Sequence, residues 1–578
     1  MPGCPPLGTQ HFFIGMRLAI VEASSEHGAG LEPVAGVEYD ARATMTARFR
    51  RSIRNPRFLV GLVAFLAAFV VQSGELGSSD TTHRLAATHS FWTSAPAVDP
   101  QDYPEFGIHG RGGRLYGWYG VGQSVLMLPA DVIGTGLERL PIFGNYDADP
   151  TVRDIVVSYA TNISICVLSV LVCFRLLGLF GFSANQRIAG TLALIFCTTF
   201  LHYTQNMMEN NYIFLLTLTG LTFQYQWLRD GDRRDLLIGS LALGANLLTR
   251  LTTGLDLLAV AVFLMLVSRF SANPETTLRA RAVRYAKVAL PVYVTCVAID
   301  RAYQWYRFGS VFGTYIALFG REQKMLNPAL PNAFPFETPF HVGFWGALFT
   351  PEKSIFLFDP LLVLTLILGA AAWRRFQPEI RAYLIAFGAL LLADVCFYAK
   401  FTVWSGDFAW GDRYVSTAAQ MVAFVSVPLM MRHGAEIGKA VRTIGVVLIV
   451  AAVLVQLSSV MFWCPLEIYQ MDTLGHPTFV IALRMKNIVA FSLGKMDEWG
   501  LTNDSMTYDP WDYQHITAFN FLPFLLARIG KAAGWAVRLI AAIWFAALAA
   551  LLGVLIYVRR LVAAEEAYRI AGQARLRA

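Results

Sequence analysis

Charged residues are scarce in this chain: Asp, Glu, Lys and Arg make up only 15% of its 578 residues. A soluble globular domain carries roughly 25%. Hydrophobic residues reach 55%, and the mean hydropathy is +0.48. Apolar stretches close to the ~20 residues needed to cross a bilayer recur along the length. The composition excludes a soluble globular protein and predicts an all-α polytopic membrane protein.

Cysteine is also scarce, with seven residues, and their positions exclude a disulfide scaffold. Five lie in predicted spans, where a thiol packs as an apolar side chain, and Cys4 lies in the N-terminal tail. Cys464 is the only cysteine in a predicted outer loop, so it has no partner there. No pairing of Cys and His has the spacing of a metal site. We predict no cofactor and leave a divalent metal open.

The hydropathy pattern predicts about twelve transmembrane helices. They are expected at residues 58–72, 155–177, 188–204, 211–228, 236–250, 254–269, 286–303, 355–372, 382–399, 415–431, 442–462 and 536–557. Arginines precede the first span, and basic clusters recur at alternate connections on the same side. The positive-inside rule assigns that side and both termini to the cytoplasm. The net charge of +7 is therefore a topology signal rather than a nucleic-acid patch.

The long connections on the opposite side are rich in aromatic residues, Gly and Pro. Long irregular segments of this kind are usually folded and functional, so the outer face is the predicted active face. We divide the chain into a cytoplasmic tail 1–57, a transmembrane catalytic module 58–462 with outer loops 73–154 and 304–354, a large outer loop 463–535, and a last helix with a basic tail 536–578.

Five short motifs follow one another along the module. They are Ser79-Asp80 with Arg84, the stretch from Tyr119-Gly120-Val121-Gly122 to Leu128-Pro129, Leu248-Thr249-Arg250, Ser354 to Pro360, and Trp404 to Tyr414. In this order they resemble the GT-C superfamily, the lipid-carrier-dependent membrane glycosyltransferases related to protein mannosyltransferases and bacterial aminoarabinose transferases. The resemblance covers roughly residues 58 to 430, and Leu251 stands where the family has a proline.

The resemblance implies a GT-C-like arrangement of helices and a hexosyl- or pentosyltransferase of the plasma (inner) membrane. The expected donor is a polyprenyl-phosphate-linked sugar, and the expected acceptor is a cell-envelope glycan, lipid or protein. The active site would face the periplasm or exterior, in contact with membrane lipids. Inverting transfer of this kind needs one carboxylate that accepts the proton of the acceptor hydroxyl.

Asp80 is the candidate general base, because it follows the first span and fits the acidic motif. Glu75 is the alternative base, although it lies closer to the membrane. Arg413 is the leading candidate for the donor phosphate, because a guanidinium can bind two phosphate oxygens. In the competing interpretation, Arg413 instead stacks on the ring of Trp404 or Trp410.

Further residues complete the predicted site. Lys353 and Arg84 are second candidates for the donor phosphate, and Arg84 lies four residues from Asp80, so in a helix it would orient that acid. The predicted acceptor and donor loops contain Tyr116, Tyr119, Gln123, Trp404 and Asp407.

Glu209 lies at the outer turn between two predicted spans. A buried acid there would be a functional candidate, whereas a solvated turn is the more ordinary interpretation. Two other functions stay open. A secondary transporter would show inverted repeats and paired charges in mid-membrane; an O-antigen polymerase or ligase would depend on arginines and a histidine.

Overall fold

The computed structural model describes residues 55–143, 146, 149–270, 278–503, 514–529 and 532–577. Residues 1–54 of the predicted cytoplasmic tail therefore lie outside the described residues. From Arg54 to Ala578 the chain forms one compact unit. The strands found among the described residues are one short antiparallel pair, β1 (Ile108–His109) and β2 (Leu115–Tyr116). All other regular structure described is helical.

The helices fall into two groups. Those that coincide with predicted spans are α1 (Pro56–Val71), α4 (Val152–Leu179), α5 (Ala184–Cys197), α6 (Phe200–Gln205), α7 (Asn210–Asp230), α8 (Arg233–Thr249), α9 (Gly254–Phe270), α10 (Leu278–Phe308), α13 (Ile355–Phe358), α14 (Leu361–Ala372), α15 (Pro378–Tyr398), α16 (Ser416–Ala423), α17 (Ser426–His433), α18 (Gly438–Ser459) and α22 (Gly534–Arg577). Those in the predicted outer loops are α2 (Ser79–His89), α3 (Val121–Glu138), α11 (Tyr315–Leu326), α12 (Phe340–Phe349), α19 (Leu466–Asp472), α20 (Val480–Ser492) and α21 (Leu522–Ile529). Every predicted span falls on helix, which confirms the all-α polytopic class.

Six helices in the described part of the chain are long and apolar enough to cross a membrane: α4, α9 with the turn before it, α10, α15, α18 and α22. Helix α1 is apolar but has only 16 residues. Helix α8 has 17 residues, and α7 carries several polar side chains. The spans predicted at 188–204, 355–372 and 415–431 are each interrupted. The count of about twelve transmembrane helices stays a prediction.

Two of these interruptions, at residues 198–199 and 359–360, meet at Thr199, between α5 and α6. Its backbone N–H donates to Asp359 Oδ1 at 2.8 Å, and its hydroxyl donates to Asp359 Oδ2 at 3.0 Å. Gln420 Nε2 in α16 donates to the same hydroxyl at 3.2 Å. A broken helix in an apolar layer leaves backbone groups that need partners. The Asp359 side chain supplies a partner for the Thr199 N–H and joins two breaks, and Gln420 links this contact to the middle of α16.

The last predicted outer loop is packed into the unit. The Gln205 side-chain nitrogen lies 2.7 Å from the carbonyl oxygen of Val71, 2.9 Å from that of Val460 and 2.6 Å from that of Asn520. One buried amide therefore joins the end of α1, the end of α18 and the chain before α21. Arg484 of α20, fully buried and paired with Glu467, joins α19 to α20 in the same loop.

Candidate active site

A cavity of about 1700 Å³ opens among the predicted outer loops and the helix ends beside them. Its lining includes Asp80, Arg84, Glu209, Arg250 and Arg413, which we call the charge cluster. These residues come from the first turns of α2, the turn between α6 and α7, the end of α8 and the loop before α16. Four of the five belong to the sequence motifs, so folding brings separate motifs to one cavity.

Asp80 lies in the first turn of α2, where Ser78 caps the helix by accepting a hydrogen bond from the Thr81 backbone N–H. The helix dipole favours a carboxylate at this position. Tyr119 Oη donates to Asp80 Oδ1 at 2.7 Å, and Arg413 Nη1 donates to Asp80 Oδ2 at 2.6 Å. Both oxygens of the candidate base are therefore bound by residues of other motifs.

Electrostatics keep Asp80 ionised. Burial alone would raise the pKa of Asp80, but the charges of Arg413 and Arg84, with hydrogen bonds from Tyr119 and Arg413, outweigh burial and hold that pKa below its ordinary value. Burial and the Asp80 charge raise the pKa of Tyr119, so its phenol stays a donor. Burial raises the pKa of Asp407, another acid of the lining. Asp80 thus has the charge state that a general base needs.

Glu209 holds two further arginines. Its Oε2 lies 2.7 Å from Arg84 Nη2, its Oε1 pairs with Arg250, and the residue is 3% exposed. The solvated turn favoured by sequence is therefore wrong. Burial acts to raise the pKa of Glu209, but the charges of Arg84 and Arg250 outweigh it and hold that pKa below its ordinary value. An acid buried this deeply is tolerated because it is paired.

The charge cluster carries a surplus positive charge. Its three arginines and two carboxylates sum to +1. Two buried donors, Arg84 Nη1 and Arg413 Nε, have no hydrogen-bond partner among the described residues. Arginine donors without a protein partner are suited to a phosphate or carboxylate. The cavity therefore combines a carboxylate with arginine side chains of the kind that bind anions.

Close backbone packing positions Tyr119 against the rest of the cluster. A Cβ on Gly120 would lie 2.3 Å from the carbonyl oxygen of Thr249, which immediately precedes Arg250. Arg307 Nη1 donates to the Tyr119 carbonyl oxygen at 2.9 Å. The turn after Tyr119 thus packs directly on the end of α8, at a distance that only glycine permits.

Lys353, predicted at the donor phosphate, is absent from the cavity lining. The residue is 1% exposed, and its Nζ donates to the carbonyl oxygens of Asp407 at 2.6 Å and Ala409 at 2.8 Å. Burial lowers the pKa of Lys353. Its ammonium stabilises the loop before Arg413, in which Asp407 adopts a positive φ of 57°. Lys353 therefore binds backbone carbonyl oxygens in this loop instead of the predicted donor phosphate.

Three more predicted loop residues do not line the cavity. Tyr116 packs against Tyr306, with 6.2 Å between ring centroids. Gln123 is buried within α3, and Trp404 packs on Gly346 of α12. Of the five residues expected in the acceptor and donor loops, the structure brings Tyr119 and Asp407 to the cavity.

The ring beside Arg413 belongs to Tyr414, rather than to Trp404 or Trp410. The Arg413 guanidinium carbon lies 5.2 Å from the Tyr414 ring centroid, and that of Arg250 lies 5.3 Å from it. The predicted alternative, a stack on tryptophan, is therefore wrong. Tyr414 therefore lies near both arginines, and all three residues line the same cavity.

Glu75, the alternative base, also lines the cavity but has a different partner. Its Oε1 lies 2.8 Å from His515 Nε2, and the residue is 6% exposed. The arginines of the charge cluster pair with Asp80 and Glu209 instead. The geometry favours Asp80 over Glu75 as the acid next to a bound anion.

Sequence reasoning missed the contribution of Arg250 and Tyr414 to the site. Arg250 is the last residue of a predicted span, and Glu209 lies in the preceding outer turn, so the available signal was a basic and an acidic residue at helix ends on the same predicted side. Within the described ranges, no three His, Cys, Asp or Glu side chains converge as metal ligands.

No protein-family model matches the chain, and no curated protein sequence matches it either. Among solved structures, the chain is similar to the crystal structure of ArnT from Cupriavidus metallidurans bound to undecaprenyl phosphate. The two share 14% sequence identity, the match covers 74% of each chain, and the TM-score is 0.36. The five sequence motifs follow one another in an order that resembles the GT-C superfamily. The fold of the chain is that of an all-α polytopic membrane protein.

Proposed function

We propose that the chain is an integral membrane glycosyltransferase that moves a sugar from a polyprenyl-phosphate donor to a cell-envelope acceptor. The observation that supports it most is the Asp80 carboxylate held 2.6 Å from Arg413 in a cavity of about 1700 Å³. A base and a phosphate-binding cation are the two groups that the reaction requires. The motif resemblance supplies the donor class.

In the proposed reaction, Asp80 accepts the proton of the acceptor hydroxyl as its oxygen attacks the anomeric carbon of the donor sugar. The new carbon–oxygen bond forms while the bond between that carbon and the phosphate oxygen breaks. The electron pair leaves with the phosphate, and the configuration at carbon inverts. Arg413, Arg84 and Arg250 stabilise the charge that develops on the leaving oxygen.

The aromatic part of the lining suits the uncharged portions of the ligands. Tyr398 stacks on Tyr414 with 4.4 Å between ring centroids, next to the charge cluster. Phe336, Phe397 and Phe401 continue this surface. Sugar faces and isoprenyl carbons both pack on aromatic rings, so the cavity offers an apolar surface beside its anion site.

The experiment is a transfer assay on the purified full chain with a panel of polyprenyl-phosphate-linked hexoses and pentoses and an envelope extract as acceptor. We expect acceptor-dependent release of polyprenyl phosphate from at least one donor. Uptake of a solute by proteoliposomes, with no release from any donor, would instead support a secondary transporter. The interrupted helices at Thr199 are the feature that favours this second candidate, although their carboxylate, Asp359, is already bound.

We further propose that the cavity faces the exterior or periplasm and that both termini are cytoplasmic. Cysteines introduced at the exposed positions Thr478 and Ala435 test this assignment. In a Cys464→Ser background, a membrane-impermeant maleimide should label Thr478→Cys in intact cells and spare Ala435→Cys. Labelling of Ala435→Cys from outside would reverse the orientation.

Gly120→Ala is expected to lower transfer by roughly 100-fold, the usual effect of a misplacement of about 1 Å at a reacting group. The added methyl would lie 2.3 Å from the Thr249 carbonyl oxygen, so the turn has to shift and draw Tyr119 from Asp80. Gly136→Ala in α3 is the matched control, because nothing lies within 4 Å of its Cβ position. Equal activity in the two variants would contradict the positioning of Tyr119 by this contact.

A further inference from the structure

We propose that Glu209 sets the net charge of the phosphate site so that the spent lipid phosphate is released after transfer. This inference rests on the function proposed above and deepens it. Glu209 is suited to the task because it pairs with two of the three arginines, Arg84 and Arg250. It is 3% exposed, so it acts on the ligand through these arginines as a positioning residue.

The charges of ligand and cluster balance through the reaction. Before transfer, the cluster carries +1, from three arginines and two carboxylates, and a lipid phosphodiester carries one negative charge. Transfer moves one proton onto Asp80, which brings the cluster to +2. The leaving phosphate monoester carries close to two negative charges above its second pKa of about 6. Counting the charge cluster and the ligand alone, both complexes are close to neutral.

Release follows from the next proton movement. Once Asp80 returns its proton to water, the cluster is again at +1 and faces a ligand with two negative charges. The surplus negative charge weakens binding of the spent lipid. Without the Glu209 carboxylate, the deprotonated cluster would stay at +2 and would continue to match the monoester. Because of Glu209, the deprotonated site therefore matches the charge of the donor but not that of the product.

The test compares two lipids on the full chain in nanodiscs at pH 8: a polyprenyl monophosphate and its methyl ester, which carries a single charge. For Glu209→Gln, we expect the affinity for the monophosphate relative to the methyl ester to rise by roughly tenfold or more, the effect of one unit charge at this range. In steady state, kcat and KM should both fall, because product release slows. A purely structural role would lower kcat/KM instead.

A double variant that restores the net charge of the cluster is the control. Glu209→Gln combined with Arg250→Gln returns the cluster to +1 and should restore the wild-type ratio of the two affinities. If Glu209→Gln does not fold, Arg250→Gln alone lowers the cluster to zero and should shift the ratio toward the methyl ester. An unchanged ratio, or equal weakening of both lipids, would overturn this inference alone. Failure of both lipids to bind the wild-type chain would overturn the proposed function with it.

Discussion

Asp80→Asn should lower transfer by about 100-fold to 10,000-fold, which is the usual contribution of a general base. The amide keeps the shape of the carboxylate, and its oxygen still accepts the hydrogen bond from Tyr119, made at 2.7 Å in the structure. The amide cannot take the proton of the acceptor hydroxyl. Because the substitution also removes one negative charge beside Arg413, binding of the donor phosphate should be equal or tighter. Turnover and donor titration on the purified variant measure the two effects separately.

Asp407→Asn is the matched control for that prediction. Asp407 lines the same cavity, and the substitution makes the same chemical change. Its carboxylate is not part of the ion pairs of the charge cluster. We expect it to cost less than about tenfold in rate, below the roughly 100-fold minimum of a general-base contribution. Near-normal turnover in Asp80→Asn, or an equal loss in both variants, would remove Asp80 as the base.

Arg413→Ala should weaken donor binding by roughly tenfold to 100-fold. Charge-assisted hydrogen bonds to a buried group are worth about 1.5–3 kcal/mol, and about 1.4 kcal/mol corresponds to one decade of affinity. Arg413→Lys should recover only part of the loss, because an ammonium keeps the charge without the planar fork. Arg301→Ala is the control: Arg301 pairs with Asp300 in a comparable ion pair at 2.5 Å, away from the cavity lining. Unchanged donor affinity in Arg413→Ala would contradict the phosphate contact.

The same variant has a consequence for pH dependence. Arg413 is the leading charge that holds the pKa of Asp80 below its ordinary value. Removal of Arg413 should raise the pKa of Asp80, because less positive charge then offsets the effect of burial. The acid limb of the rate profile depends on ionised Asp80, so it should move to higher pH. A profile of kcat/KM against pH for the wild type and Arg413→Ala measures this shift, and a limb that stays in place would show that Asp80 is not the titrating base.

Hydropathy and local motifs predicted the features that the lipid environment dictates. A segment that crosses a bilayer has to be helical and apolar, and each span read from sequence falls on helix. Asp80 and Arg413 were singled out as candidates because short motifs surround them. Their direct contact was beyond prediction, since 333 residues separate them and only the packing of distant elements brings them together.

The errors have the same origin. Glu209 resembles any acid in a short turn, and its burial follows from the positions of Arg84 and Arg250, which belong to other helices. Lys353 precedes a predicted span as a phosphate ligand would. Whether its ammonium faces a cavity or a backbone carbonyl depends on the path of the loop that contains Asp407 and Ala409. Local sequence does not encode that path.

The separation of 333 residues between Asp80 and Arg413 also sets an order of events during synthesis. At roughly 5–20 residues per second, Asp80 leaves the ribosome about 17–67 s before its partner arginine. During that interval Asp80 lacks its Arg413 partner, and an unpaired carboxylate costs little only while water solvates it. In the proposed orientation, the nascent chain carries Asp80 across the membrane before Arg413 has been synthesised. The proposed site is complete only after the loop before α16 has been synthesised and packs against the first outer segment.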